Sequence, residues 1–298
     1  MEGDKPMKCL VMGGSGFIGR HLVKELSDRG DSVLNSDIVE PEKLYLNEEY
    51  ICRSKGNPKQ ILESYLLYGI DEVYDLGAVV GTGGFDSRTA IESVNINIAG
   101  TLALLLDAEV AGVERFYYPA VPDDFANIYT VTKKAGEMLC KIFESKSGME
   151  VKILRWGNVY GPGQALVPRR LIPSVITKML NGDPVQIFGK GLQKVEMIYV
   201  KDVARITVDF LRDGSPGKMY DVDCQTFLSV NELVNIINEA VGKDSKIEYL
   251  PMRDGEEDVV DEEPVGDFLS KAIPTLFENM TPLKEGLLET IEWYRLNI

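Results

Sequence analysis

The sequence predicts an α/β protein: a doubly wound parallel sheet followed by a smaller α+β substrate domain. Three observations carry this. Short apolar runs alternate with longer amphipathic ones through the first half of the chain, the pattern of parallel strands joined by right-handed crossovers with helices on both faces. A glycine-rich turn, Gly13 to Gly19, joins the first apolar run to the first amphipathic one. After Gly161-Pro162-Gly163 the texture changes, with Pro and Gly frequent and strands isolated.

Taken in order, Lys8–Met12, Ser32–Ser36, Glu72–Leu76, Arg115–Tyr118 and Val151–Trp156 read as strands, and Tyr50–Cys52 as a short, weak one. Gly16–Arg29, Pro58–Tyr68, Ile91–Ala111 and Tyr129–Ser147 read as the helices between them. In the second half, strands are expected at Val185–Phe188, Glu196–Ile198, Met219–Val222 and Ile247–Tyr249. Helices are expected there at Pro168–Leu180, Val200–Leu211, Val230–Val241 and Leu283–Tyr294. The expected domains are 1–163 and 164–298, with about 196–217 returning to the first. Residues 254–263 carry seven acidic side chains in ten and read as a solvated loop.

The chain has 298 residues, with 32 Lys plus Arg against 47 Asp plus Glu, a net charge of −15. That sign argues against a nucleic-acid backbone or an anionic membrane as partner. It leaves open a phosphate-bearing small molecule, which backbone N–H groups hold without a basic surface. The four cysteines (Cys9, Cys52, Cys140, Cys224) lie far apart, so neither a disulfide framework nor a zinc set is expected, and the expected location is the reducing cytoplasm. No metal site is expected. A single histidine, His21, excludes any mechanism built on two. Met1–Lys8 is charged, unlike a signal peptide. The most apolar stretch, Ile98–Val113, is interrupted by Asp107 and Glu109, so no bilayer-spanning segment is expected.

Gly13, Gly16 and Gly19 follow a strand and open a helix, the context in which a glycine pattern carries meaning. One glycine turns the chain, one admits a pyrophosphate to the backbone, and one lets helix and strand pack closely. An acidic residue, Asp37, ends the next strand, where it would accept hydrogen bonds from an adenosine ribose and repel a 2′-phosphate. The first domain therefore reads as a Rossmann-type NAD-binding unit.

Of thirteen Tyr residues, only Tyr129 is followed four positions later by a Lys, Lys133. On a helix the two share a face. A phenol of pKa ~10 is a poor base at neutral pH. An ammonium ~4 Å away, worth about 4 kcal/mol at an effective dielectric near 20, would lower it enough to act as a general base toward an alcohol. The pair opens the helix after the fifth strand, where a reacting group would sit.

Together these residues resemble the extended short-chain dehydrogenase/reductases, specifically the NAD-dependent epimerase/dehydratase family acting on nucleotide-sugars. The resemblance runs through Gly13–Gly19 with Phe17 and Ile18, Asp37, Leu76-Gly77-Ala78, Asn97-Ile98-Ala99-Gly100-Thr101, and Tyr129–Lys133 with Glu137. It continues through Arg155 to Gly163, Gly189-Lys190-Gly191 and Tyr199 to Val203, and covers about Lys8 to Arg295. It implies NAD held by Gly13, Gly16, Phe17, Ile18, Gly19, Asp37, Leu76, Gly77, Ala78, Asn97, Tyr129 and Lys133. It also implies a nucleoside-diphosphate sugar oxidised at C4, with Asn158 on the diphosphate and Arg253 at the nucleotide end.

The departures are equally informative. The family places Ser or Thr after strand 5; here stands Tyr118-Pro119-Ala120-Val121-Pro122, and the loop to Tyr129 is short. Thr82 is the candidate replacement hydroxyl, and Asp123-Asp124 resembles a dehydratase acid pair only with an insertion. An Arg expected near Lys194-Val195-Glu196 is absent, with Lys194 as candidate substitute, and the strand-3 Asp is replaced by Arg53 or Ser54. The alternative reading is thus a degenerate dinucleotide-binding protein that senses or scaffolds without turnover. Finally, Leu102, Leu104, Leu105, Leu106, Met138, Leu139, Ile142 and Phe143 give two helices more apolar surface than one sheet face covers. A homodimer through a four-helix bundle is expected, as the resemblance also implies.

Overall fold

The computed structural model describes residues 5–56, 69–80, 87–122, 127–166, 170–213, 215, 219–222, 227–243, 245–252 and 267–298. The chain divides into two compact units: Met1–Trp156 with Val203–Val222, and Gly157–Asp202 with Asp223–Ile298.

Seven strands form the sheet of the first unit: β1 (Lys8–Met12), β2 (Ser32–Asp37), β3 (Glu48–Cys52), β4 (Glu72–Asp75), β5 (Arg115–Ala120), β6 (Glu150–Trp156) and β10 (Met219–Val222). All pair in parallel, in the order β3-β2-β1-β4-β5-β6-β10, so the winding reverses between β1 and β4 as in a Rossmann-type sheet. The central strand β1 is buried on both faces and accordingly reads as a nearly unbroken apolar run; Cys9, Leu10, Val11 and Met12 are all inaccessible. The weak strand of the sequence reading is a full edge strand, β3. The segment returning from the second half supplies β10, beyond the expected end at 217.

Helix α1 (Phe17–Asp28) buries Leu22, Val23 and Leu26 on the sheet. Helix α2 (Ser87–Ser93) runs through a π-helical turn, Val94–Gly100, into α3 (Thr101–Ala111), which stops at Gly112 in a left-handed conformation. Helix α4 (Ile128–Lys146) starts where the Asn127 side chain accepts from the Thr130 N–H at 2.9 Å. The expected helix Pro58–Tyr68 lies outside the described residues.

Because the π turn joins α2 and α3 without a break, Thr89–Ala111 is one helix of 23 residues, and an 18-residue stretch of it has a mean hydropathy of 1.4, long and apolar enough by those measures alone to cross a membrane. This corrects the expectation that Asp107 and Glu109 disqualify every apolar run. The eight apolar residues singled out on the two helices also separate. Leu104, Leu105 and Phe143 are core, whereas Leu102, Leu106, Met138 and Ile142 are exposed, together with Ile91, Val94, Val110 and Val131.

The second unit holds a three-stranded sheet of β7 (Asn158–Tyr160), β9 (Lys194–Tyr199) and β11 (Phe227–Ser229), and a parallel pair of β8 (Val185–Phe188) and β12 (Ile247–Leu250). Around them lie α5 (Leu171–Asn181), the start of α6 (Val200–Arg212), α7 (Val230–Val241), the short α8 (Leu269–Ala272) and α9 (Leu283–Asn297). A capping box of Ser229 and Glu232 sets the start of α7. The strands β7 and β11, of three residues each, are too short to leave a periodic signal in the sequence.

Candidate active site

The candidate site is built on the C-terminal ends of the parallel strands of the first unit, where open α/β sheets place their ligands. After β1 the chain turns through Gly13 at φ +77°, and the Gly13 N–H donates to the Ser36 carbonyl at 2.8 Å, tying the turn to β2. A Cβ on Gly13 would stand 2.9 Å from the Gly77 nitrogen, and one on Gly19 would enter the Gly13 carbonyl, so only glycine allows this packing of turn, helix and β4 loop. No side chain caps α1, whose first residues are Phe17 and Ile18, so its first turn presents N–H groups and the positive end of the helix dipole.

Asp37, at the end of β2, faces this turn. One carboxylate oxygen accepts from the Ser15 N–H at 3.0 Å and the other from the Val39 N–H at 3.1 Å. Leu76, Gly77 and Ala78 follow β4 and are partly exposed. Asn97, in the π turn, is buried and braces that loop. It accepts from the Val79 N–H at 2.9 Å and donates to the Val79 carbonyl and to Thr132 Oγ1 at 3.1 and 3.0 Å. Its place in the site is therefore through the β4 loop it shapes.

Tyr129 and Lys133 sit on the first turns of α4. Tyr129 is partly exposed, but Lys133 is 3% exposed and turned inward. Its ammonium lies 3.8 Å from the centre of the Tyr118 ring, and the Tyr118 hydroxyl donates to the Lys133 carbonyl at 3.0 Å. The ammonium that the sequence reading pairs with the Tyr129 phenol thus rests, in this structure, on the Tyr118 ring. Burial, and after it the neighbouring charge of Lys55, brings Lys133 down to about 7. Tyr118 itself is no base: burial pushes its phenol well up, and its proton is committed to a carbonyl. Lys134, the adjacent cation, pairs with Glu137 at 3.4 Å.

Beside Lys133 lies a cluster the sequence reading missed. Lys55, just past β3, reaches both oxygens of Asp75 at 2.9 Å and Thr101 Oγ1 at 3.0 Å, and all three residues are buried. The signal available in the sequence was an acidic residue ending a buried strand immediately before Leu76-Gly77-Ala78, which demands an internal cation.

Strand β5 ends at the buried Ala120, so no hydroxyl stands there. Asn158 is the first residue of β7 in the second unit and is exposed. Thr82, Arg253 and Asp123-Asp124 lie outside the described residues. Among the described residues no cluster of three or more His, Cys, Asp or Glu could hold a metal ion. The uncapped helix start, the close glycine packing and the carboxylate at the end of β2 fit a dinucleotide.

Residues 9–223 match the NAD dependent epimerase/dehydratase family. The chain belongs to that family. As a member of the NAD-dependent epimerase/dehydratase family it is 29% identical to a dTDP-4-dehydro-6-deoxy-D-allose reductase of Streptomyces sp, across 97% of the chain and 96% of the relative. It is 28% identical to the dTDP-D-glucose 4,6-dehydratase of Bos taurus, across 97% of the chain and 89% of the relative. Among solved structures it is similar to the UDP-glucose 4-epimerase of Thermotoga maritima, crystallised with UDP-glucose, with a TM-score of 0.84 and 26% identity over 98% of this chain and 99% of that one. By name these three are a reductase, a dehydratase and an epimerase, each of a nucleotide-linked sugar. Within this epimerase/dehydratase family, then, likeness to named relatives does not select one reaction.

Proposed function

We propose that the chain oxidises a hydroxyl, at C4 by the family resemblance, of a nucleoside-diphosphate sugar bound beside NAD. The observation that carries this reading is the Tyr129–Lys133 pair on α4, at the same end of the sheet as the glycine turn and Asp37. NAD, when bound, supplies the hydride acceptor. In this reading Tyr129, as the phenolate, takes the proton of the reacting hydroxyl and becomes the neutral phenol as hydride leaves for NAD. Lys133, while charged, stabilises that phenolate beforehand and donates to the nicotinamide ribose. The turn Gly13–Gly19 with Phe17 and Ile18 holds the pyrophosphate, Asp37 the adenosine ribose, and Leu76-Gly77-Ala78 line the cofactor. Asn158 is assigned to the diphosphate, Arg253 to the nucleotide end, and Thr82 to the hydroxyl that β5 lacks.

A second reading has one observation in its favour. Ala120 ends β5 without the hydroxyl that would share the proton relay, so a protein that binds dinucleotide without turnover stays in view. A panel of UDP-, GDP- and dTDP-sugars, mixed with the NAD-loaded protein and followed at 340 nm and by product analysis, decides between the two. Reduction or conversion with one of them, lost by at least ~10³-fold in Tyr129→Phe while NAD affinity is retained, is the expected outcome. Equal activity in Tyr129→Phe would overturn the assignment of the base, and silence with every sugar would favour the binding protein.

We also propose that the chain is a homodimer in the cytoplasm. Ile91, Val94, Leu102, Leu106 and Val110 on one helix, and Val131, Met138 and Ile142 on α4, are exposed apolar side chains on two neighbouring helices. Pairing with a second copy would give a four-helix bundle. Light scattering at micromolar concentration should report twice the chain mass, and Leu106→Glu with Met138→Glu should halve it.

A further inference from the structure

Two buried ammoniums and one buried carboxylate stand together beneath the cofactor turn: Lys55 and Lys133, each 3% exposed, and Asp75 at 0%. Asp75 gives both its oxygens to Lys55 and accepts a third bond from Thr101 Oγ1 at 3.1 Å. Lys133 lies close enough to feel both charges, yet its ammonium rests on the Tyr118 ring and has no carboxylate partner among the described residues. The next carboxylate acting on it, Glu137, is held by Lys141 at 2.7 Å and by Lys134 and Arg155 at 3.4 and 3.6 Å. Two further groups beside it are neutral at pH 7: burial raises both the Cys140 thiol and the Tyr118 phenol.

The backbone is shaped around Lys55. Its stem crosses Gly100, where a Cβ would stand 2.9 Å from Lys55 Cγ. Gly100 closes the π turn Val94–Gly100, a form of helix that is rare and concentrates at functional sites. A buried carboxylate left without Lys55 would take the nearest ammonium, because an unpaired charge in the interior costs several kcal/mol. That ammonium belongs to Lys133.

We propose that Lys55 is a positioning residue: by occupying Asp75 it keeps the Lys133 ammonium out of an internal ion pair and free for the cofactor ribose and the Tyr129 phenol. The inference rests on the reading of Lys133 as a cofactor-holding residue, and its test separates the two. The measurement is calorimetric titration of the full chain with NAD between pH 6 and 9. Lys133→Met should weaken NAD about tenfold, and Lys55→Met by a similar factor as Asp75 captures Lys133. Combining Lys55→Met with Asp75→Asn should bring affinity back to within about threefold of the parent. On a Lys133→Met background, Lys55→Met should change affinity less than about twofold.

The pH profile adds a readout that mere packing would not move. In the parent, affinity that depends on the charge of Lys133 falls as pH rises through about 7. In Lys55→Met a like charge is gone and a carboxylate is freed, so Lys133 keeps its proton longer and the fall moves to higher pH. Should Lys55→Met not fold, the Lys55→Met/Asp75→Asn pair, with both charges removed together, carries the test alone. Retained NAD affinity there supports positioning, and a tenfold loss overturns it. An unmoved profile in Lys55→Met, or additive losses with Lys133→Met, would also overturn it. Full NAD affinity in Lys133→Met would instead overturn the reading of Lys133 itself.

Discussion

At the N-terminal end of β4 the buried Glu72 is met by Arg115 at 2.8 Å and Arg212 at 2.7 Å, Arg212 continues to Asp31 at 2.9 Å, and the Tyr74 hydroxyl donates to Glu72 at 2.9 Å. At the C-terminal end of the same strand Asp75 meets Lys55, and a second buried ammonium, Lys133, is left over. Four residues of one strand thus carry a carboxylate at each end, with opposite outcomes. Below, every charge has its counterpart and the network ties α6 to the sheet. Above, the balance is left open on the positive side, where an anionic cofactor and the phenolate form of Tyr129 would complete it. Matched buried charges hold this fold together, and the unmatched one marks the site.

The closed end should give the larger effect on stability. Arg212→Met leaves Glu72 with one cation and Asp31 with none, and should destabilise the protein by about 3 kcal/mol in urea unfolding, a low-end figure because Arg212 is about one-fifth exposed. Burial alone would raise the Glu72 carboxyl, yet Arg212, Tyr74 and Arg115 hold it below the usual range. Its contribution is therefore present above the ordinary carboxylate range and is lost as pH falls through its depressed value. The variant should show a shallower loss of stability from pH 5 to 3 than the parent, and NAD affinity per folded molecule should not change. A changed affinity would mean the two ends of β4 are not independent.

The open end should respond in the opposite direction. Lys133 releases its proton near 7 when folded and near 10.5 when unfolded, so the unfolded chain binds more protons across that window and stability rises with pH through it. Lys133→Met removes this burden. It should stabilise the protein by about 2 kcal/mol at pH 7, less than burial alone implies because the Tyr118 ring favours the cation, and by little at pH 10. A variant that is more stable yet binds NAD worse would be the signature of a charge kept for function. Loss of stability at pH 7 would show that the Tyr118 contact outweighs burial.

How much of this was legible in the sequence follows from distance along the chain. Gly13 to Gly19, Asp37 at the end of β2, and Tyr129 with Lys133 are local patterns that spacing along the chain makes visible. β1 and β6 announced themselves because burial on both faces makes them largely apolar. The Lys55–Asp75 pair spans 20 residues and joins strands three places apart in the sheet, so no local period reveals it. The inward turn of Lys133 depends on Tyr118, which in β5 reads simply as core. The π turn at Val94–Gly100 keeps helical composition and is invisible to a 3.6-residue pattern. Leu104 and Leu105 could not be told from Leu102 and Leu106 until the rotation of α3 on the sheet was known.

The smallest effect is expected where the site is most ordinary. Asp37 holds the Ser15 N–H with one oxygen and the Val39 N–H with the other, which fixes its carboxylate against the glycine turn. A ribose hydroxyl brought there donates to that carboxylate, whereas a 2′-phosphate confronts like charge, worth about 1 kcal/mol at 4 Å in water and more where solvent is thin. NAD should therefore bind at least about tenfold more tightly than NADP. Asp37→Asn keeps an oxygen for one backbone bond but removes the charge, so the preference should narrow to within about threefold, chiefly by improved NADP binding. Thermal stability should shift little, since no buried charge is stranded. Equal affinities in the parent would show that the carboxylate does not read the ribose, and an unchanged preference in Asp37→Asn would place the discrimination elsewhere in the turn.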